Sequence, residues 1–174
     1  IENAAMEPEI VDLCHFIEKM GVSIKGVGTS RLKVRGINSN SNELIIEHSI
    51  IPDRIEAGTF LIASAITKCS LTVSKLNPNH LVSVTDALIA SGCKIEINND
   101  SILITPSDVI KPVNIVTDIY PGYPTDLQAQ WVVLMAVAEG KSFVEDTIYT
   151  DRFSHIPELI RLGADISLNK NIAK

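Results

Sequence analysis

The stretch ALIASGCKI, residues 87–95, decides the fold because the chain repeats its pattern on both sides. FIEKMGVSI (residues 16–24) precedes it and ELIRLGADI (residues 158–166) follows it. The glycines of the three copies are 71 residues apart (92 − 21 and 163 − 92), and they are Gly21, Gly92 and Gly163. A constant period of this length indicates one supersecondary unit used repeatedly. Each copy predicts a helix that ends at its glycine, then a strand, a short polar turn and a second strand.

The other half of the repeated unit is predicted to be a buried helix followed by a strand. A helix that opens at Pro52 and runs to Ile66 precedes a strand at residues 70–73, and a helix from Asp126 to about Glu139 precedes one at residues 142–144. The complete unit is therefore strand, buried helix, strand, amphipathic helix, strand, strand. This is an α/β fold with its helices in the centre. The chain holds a half-unit (1–48), a full unit (about 49–110) and most of another (about 111–174), with a candidate linker at residues 38–42.

The stretch YPGYPTDLQAQ, residues 120–130, predicts a rigid turn that leads into the second of these helices. Two prolines and a glycine restrict the turn, and Thr125 and Gln128 have capping-box spacing. The helix is expected to end at Glu139, before Gly140, and its apolar middle predicts burial on every side. Asp126 then lies in the first turn of a fixed helix. It either holds a reacting group or merely favours the helix dipole.

Composition excludes several classes of function. A net charge of −6 without a basic run disfavours a nucleic-acid partner, and the apolar stretches are too short to cross a membrane. With no signal-peptide pattern either, we expect a cytoplasmic protein. Three distant cysteines, Cys14, Cys69 and Cys93, are expected to be reduced, without a disulfide framework or a zinc site.

Other chemistries lack their motifs. The four histidines show no metal-ligand spacing, and the run GVG at residues 26–28 precedes a strand-like segment, so it predicts a hairpin turn. Neither a metal nor a cofactor is predicted. Charged side chains instead collect at corresponding ends of the repeated units, which suits an anionic ligand with hydroxyl groups. These charged residues are Asp53, Arg54, Asp126, Asp151 and Arg152.

Three longer runs are ENAAMEPEIVD (2–12), PDRIEAGTF (52–60) and PTDLQAQ (124–130), and two shorter ones are DRFSH (151–155) and RLGAD (161–165). Together these runs resemble the enolpyruvyl transferases that act on UDP-N-acetylglucosamine, the UDP-N-acetylglucosamine 1-carboxyvinyltransferases. The resemblance implies two inside-out α/β barrels of repeated units. It also implies transfer of the enolpyruvyl group from phosphoenolpyruvate to the sugar 3-hydroxyl, the first committed step of peptidoglycan synthesis.

The family is more than twice this length, which implies a partial chain. Residues 1–48 would be the last half-unit of the first domain, and residues 49–174 most of the second. The family's Lys-Asn pair and its loop with a reactive cysteine have no counterpart in this chain. We therefore expect the chain to be inactive without the remainder of the enzyme.

Site roles are implied by the same resemblance. Asp126 would bind the sugar 3-hydroxyl and take its proton. The main chain of Ile148 would contact the N-acetylglucosamine, and Arg152 would bind in the region of phosphoenolpyruvate and phosphate. Met6 departs from the family, where a basic residue is common. The other implied substrate-binding positions are Thr125, Asp53, Arg54 and Glu7.

Alternatives remain open. A sibling enzyme acting on shikimate 3-phosphate would share the fold and reaction, and a non-catalytic repeat domain would share the fold alone. For Arg152 itself, the alternative to substrate binding is a surface ion pair with Asp151.

Overall fold

Residues 1–37 and 45–174 are described by a computed structural model. They form two compact units, Ile1–Ile51 and Pro52–Lys174. The predicted linker at residues 38–42 lies outside the described residues. The assignment of residues 1–48 and 49–174 to two domains of one enzyme stays a prediction.

The first unit is one helix followed by a hairpin. Its elements are α1 (Pro8–Lys19), β1 (Ser23–Lys25) and β2 (Lys33–Arg35), with the two strands antiparallel. The turn between the strands contains residues 26–28, so the hairpin predicted there is confirmed. Buried side chains of Cys14, Ile24 and Leu32 form a small core.

The second unit begins with a helix and a three-stranded sheet. Its first elements are α2 (Arg54–Thr67), β3 (Leu71–Ser74), α3 (Val82–Ala90), β4 (Lys94–Ile97) and β5 (Ser101–Thr105). The strands are antiparallel in the order β3-β5-β4. Residues 45–53 form no strand, so the described part of the unit predicted at 49–110 lacks its opening strand.

The last repeat has all six elements. They are β6 (Ile115–Val116), α4 (Gln128–Ala136), β7 (Val144–Glu145), α5 (Ile156–Arg161), β8 (Leu168–Asn169) and β9 (Ile172–Ala173). The sheet order is β6-β7-β9-β8, with β6 and β7 parallel and the other pairs antiparallel. In this copy the hairpin starts at Leu168, later than expected, because residues 164–167 form no strand.

The repeat predicted from the glycines is confirmed. Gly21, Gly92 and Gly163 each lie two residues beyond the end of a helix, with φ of +92°, +104° and +100°. Such angles strain any residue with a Cβ, so glycine is required to turn the chain from the helix into the following hairpin.

The core of the second unit lies around its helices, as expected. Helices α2 and α4 pack against each other, and Leu61 and Trp131 are fully buried between the helices and strands. Helix α4 ends at Ala136, so the predicted end at Glu139 is wrong. The N–H of Glu139 donates instead to the carbonyl of Ile110 at 2.8 Å, which draws the chain away from the helix. Burial on every side is also wrong at this end, since Val137 is 56% exposed.

Candidate active site

Asp126 lies on a short, well-anchored turn. Residues Thr125–Leu127 form a 3-10 turn that leads directly into α4, which confirms that a helix begins here. Leu127 is fully buried and fixes the turn to the core, while the Asp126 side chain is 51% exposed. The carboxylate therefore faces solvent from a backbone that packing holds in place.

The predicted capping box is wrong. The hydroxyl of Thr125 donates to Oδ2 of Asp146 at 2.6 Å and makes no capping hydrogen bond. Gln128 is fully buried, and its amide makes no hydrogen bond within residues 1–37 and 45–174. The fold brings the Asp146 carboxylate close to Thr125, and the Thr125 hydroxyl bonds to it instead of capping the helix. Hydrogen bonds to ionised groups are stronger than those to neutral groups.

Arg152 is the partner of Asp126. Its Nη2 lies 2.8 Å from Oδ1 of Asp126, and its Nη1 donates to the hydroxyl oxygen of Thr125 at 3.2 Å. The guanidinium also lies over the ring of Tyr149, 5.3 Å from the centroid. The alternative of an ion pair with Asp151 is wrong, because the carboxylate that Arg152 contacts is that of Asp126. Three of the predicted site residues are thus in direct contact.

A fourth residue, Asp146, was missed in the sequence, and it organises this contact. Asp146 follows β7 and is fully buried. Its Oδ1 accepts hydrogen bonds from the Thr117 hydroxyl (2.9 Å) and from the N–H groups of Ile148 (3.0 Å) and Tyr149 (2.8 Å). The signal in the sequence was an aspartate after a short strand, which can form such a turn with the N–H groups two and three residues later.

Asp146 carries its charge because of these bonds. Burial by itself raises the pKa of this carboxyl, but hydrogen bonds from Thr125, the Tyr149 N–H, Thr117 and the Ile148 N–H lower it by more. The net effect places the pKa of Asp146 below that of an ordinary aspartate. The group is therefore an anion at neutral pH.

The N–H of Ile148 donates to Oδ1 of Asp146, and the Ile148 side chain is partly exposed, at 38%. It lies in the loop between β7 and Arg152, beside Tyr149. The fold thus brings Ile148 into the same network as Thr125, Asp126 and Arg152.

Asp53 and Arg54 open α2 in the same unit. The Asp53 carboxylate accepts from the N–H groups of Ile55 (2.7 Å) and Glu56 (3.0 Å), so it caps the helix. Arg54 is 8% exposed and lies over the ring of Tyr120, in the turn that precedes Asp126. Arg54 is thereby linked to the candidate site through that turn. Substrate roles for both residues stay predictions.

Glu7 belongs to the first unit, where it directly precedes α1. Its Oε2 is buried and finds no hydrogen-bond partner in the described part of the chain. The substrate role implied for Glu7 stays a prediction.

In the described ranges no group of three His, Cys, Asp or Glu side chains could hold a metal ion. His48 pairs with Asp12 at 3.0 Å, and His80 contacts Asn77 at 3.0 Å. A cavity of about 710 Å³ lies near the other end of α4, at Met135 and Phe143, and none of the predicted site residues lines it.

Of the helices in the described ranges, none combines the length and the apolar character needed to span a bilayer.

Comparison with known proteins places the chain in a family. The family model described as EPSP synthase (3-phosphoshikimate 1-carboxyvinyltransferase) matches residues 1–174. A UDP-N-acetylglucosamine 1-carboxyvinyltransferase of Campylobacter hominis is 50% identical over 173 residues, which is 99% of this chain and 41% of that protein. Proteins of the same description from Sulfurovum sp. and Helicobacter pylori are each 48% identical, again over 99% of this chain and 41% of their own length.

Solved structures confirm the predicted α/β fold. The enolpyruvyl transferase NikO from Streptomyces tendae has a TM-score of 0.84 at 22% identity, covering 99% of this chain and 41% of that one. An EPSP synthase from Acinetobacter baumannii has a TM-score of 0.54 at 15% identity, covering 94% and 38%. The chain spans about two fifths of the length of the relatives it matches. It belongs to the EPSP synthase family of enolpyruvyl (carboxyvinyl) transferases.

Proposed function

We propose that the whole protein transfers the enolpyruvyl group of phosphoenolpyruvate to the 3-hydroxyl of UDP-N-acetylglucosamine. The proposal assigns it to peptidoglycan synthesis, in the cytoplasm. The observation that carries it is the contact of Arg152 with Asp126, which lies on a fixed turn in the run PTDLQAQ (124–130) that resembles the UDP-N-acetylglucosamine family. The 45–50% identity of relatives with that description supports the choice of sugar nucleotide.

Asp126 is the general base of this proposal. A sugar hydroxyl is a weak nucleophile until its proton is removed, and a carboxylate held within hydrogen-bond reach can take that proton. Half of the Asp126 side chain is open to solvent, so a hydroxyl can approach the carboxylate. The buried Leu127 keeps the backbone fixed while this happens.

Arg152 supplies positive charge beside that base. Phosphoenolpyruvate carries a carboxylate and a phosphate, and a planar guanidinium can bind either group through two parallel hydrogen bonds. In the structure the guanidinium is shared between Asp126 and Thr125. An anionic substrate would compete for it, which would leave the Asp126 carboxylate available to the sugar hydroxyl.

Ile148 would contribute its carbonyl oxygen. Its N–H already donates to Asp146, so a main-chain contact with the sugar falls to the carbonyl. That oxygen can accept a hydrogen bond from the N–H of an N-acetyl group. This feature would help to distinguish N-acetylglucosamine from an acceptor without an amide.

The competing acceptor is shikimate 3-phosphate, which the description of the family model itself suggests. The test measures phosphate released from phosphoenolpyruvate by the whole protein with each acceptor in turn. We expect release with UDP-N-acetylglucosamine and none with shikimate 3-phosphate. Release with the second acceptor alone would contradict the proposal, and release with neither would favour the non-catalytic repeat domain.

A further inference from the structure

Asp146 connects three segments that carry the candidate site. Its Oδ1 binds the N–H groups of Ile148 and Tyr149 and so closes the loop after β7. The same oxygen accepts from Thr117, next to the end of β6, and Oδ2 accepts from Thr125, at the turn before α4. A fully buried anion with four donors from three segments fixes their relative positions.

Thr125 transmits this constraint to the exposed pair. A hydroxyl has one proton, and that of Thr125 is directed to Asp146 at 2.6 Å. Its oxygen therefore acts only as an acceptor toward Arg152, whose Nη1 lies at 3.2 Å. The other terminal nitrogen of Arg152 is then aimed at Asp126. The order of contacts is Asp146, Thr125, Arg152, Asp126.

We propose that Asp146 is a positioning residue for the transfer reaction, because it orients Arg152, and through it Asp126, by fixing the proton of Thr125. The proposal rests on the function proposed above. Asp146 touches no reacting atom in this account. It sets the direction of the guanidinium that meets phosphoenolpyruvate.

A purely structural role for Asp146 makes a different prediction. In that case the residue only closes the loop through Ile148 and Tyr149. The substitution Asp146→Asn separates the two roles, because the Asn Oδ1 can still accept from both N–H groups. The amide nitrogen now faces Thr125, however, and it is a donor. The Thr125 hydroxyl loses its acceptor and no longer presents a fixed lone pair to Arg152.

The experiment uses the whole protein and measures kcat/KM for phosphoenolpyruvate, with UDP-N-acetylglucosamine as the acceptor. Asp146→Asn and Thr125→Val should each lower it by about 10- to 100-fold, the scale of a lost hydrogen bond to a charged group. The double variant should be no worse than either single variant, since both break one chain of contacts. Thr125→Ser keeps the hydroxyl and should retain most of the activity.

The matched control is Asp86→Asn, the same chemical change on the exposed surface of α3 in the same unit. It should leave kcat/KM unchanged. The proposal would be overturned if the effects of Asp146→Asn and Thr125→Val multiplied in the double variant. It would also be overturned if kcat/KM of the Asp146→Asn protein stayed within about threefold of the parent value, a change far smaller than the expected one. If Asp146→Asn fails to fold, Thr125→Val against Thr125→Ser tests the same link with Asp146 in place.

A second readout separates this inference from the proposed function. In whole protein labelled with ¹⁵N-arginine, NMR can follow the exchange of the terminal N–H protons of Arg152 with water. The contacts of Arg152 with Thr125 and Asp126 should slow this exchange. Asp146→Asn should make the exchange faster, and Asp86→Asn should leave it unchanged. Unchanged exchange of the Arg152 protons in a folded Asp146→Asn protein would overturn the inference even if the parent showed no transferase activity. Faster exchange in Asp146→Asn, combined with a parent that shows no transferase activity, would overturn the proposed function alone.

Discussion

The geometry of the site gives its most specific prediction for the substitution Arg152→Lys. The guanidinium uses one terminal nitrogen for Thr125 (3.2 Å) and the other for Asp126 (2.8 Å), with its face over Tyr149. A lysine keeps the positive charge but has a single terminal nitrogen, so it cannot make both the contact with Thr125 and the contact with Asp126 in this geometry. Binding of a carboxylate or phosphate through two parallel bonds is lost as well.

The expected cost follows from these contacts. Loss of one hydrogen bond between charged groups amounts to about 1–3 kcal/mol, or a 5- to 150-fold fall in kcat/KM for phosphoenolpyruvate. Stability should change by less than about 1 kcal/mol, because both side chains of the ion pair are roughly half exposed. A kinetic defect without a stability defect is the signature of a substrate-binding role.

The assay is steady-state kinetics of the whole protein with varied phosphoenolpyruvate and saturating UDP-N-acetylglucosamine. Arg161→Lys is the matched control, because Arg161 is 77% exposed and pairs with Glu158 at 2.8 Å on the helix surface. The control should match the parent. If Arg152→Lys behaves like Arg161→Lys, the arginine is a surface residue and its place in the site is refuted.

Two further predictions concern stability. Asp53→Ala should lower the free energy of unfolding by about 1 kcal/mol, because it removes the acceptor of the N–H groups of Ile55 and Glu56. Asp53→Asn, which can still cap, should cost little in the same chemical denaturation, and equal losses in both variants would contradict the cap. Burial lowers the pKa of His155, so the unfolded chain binds its proton first and stability should fall as pH drops through about 6.5. Unfolding at about pH 7 and pH 5 should show less pH dependence in His155→Phe, and an identical slope would exclude His155 as the cause.

The sequence predicts the repeated fold because the repeat is written in local signals. Gly21, Gly92 and Gly163 each occupy a left-handed position that a glycine adopts without strain, and the elements around them recur in order. The end of α4 could not be predicted in the same way. It depends on a hydrogen bond from Glu139 to Ile110, which is 29 residues earlier in the chain.

The candidate site was predictable only in part, for the same reason. The run around Asp126 shows a turn and a helix start, and resemblance supplies its chemistry. The partner of Thr125 is Asp146, 21 residues away, so local spacing suggested Gln128 instead. Asp146 itself stood in no motif, and its hydrogen bonds come from segments that the fold brings together around it.

The central claim is that Asp126 is the base toward the sugar hydroxyl. Asp126→Asn keeps the shape of the side chain and an oxygen that can accept from Arg152, but it removes the proton acceptor. The decisive measurement is the turnover number of the folded Asp126→Asn whole protein with both substrates saturating. The account predicts a fall of about 10²–10⁴-fold with little change in thermal stability. Turnover within about threefold of the parent, far short of that range, would show that Asp126 only begins a helix.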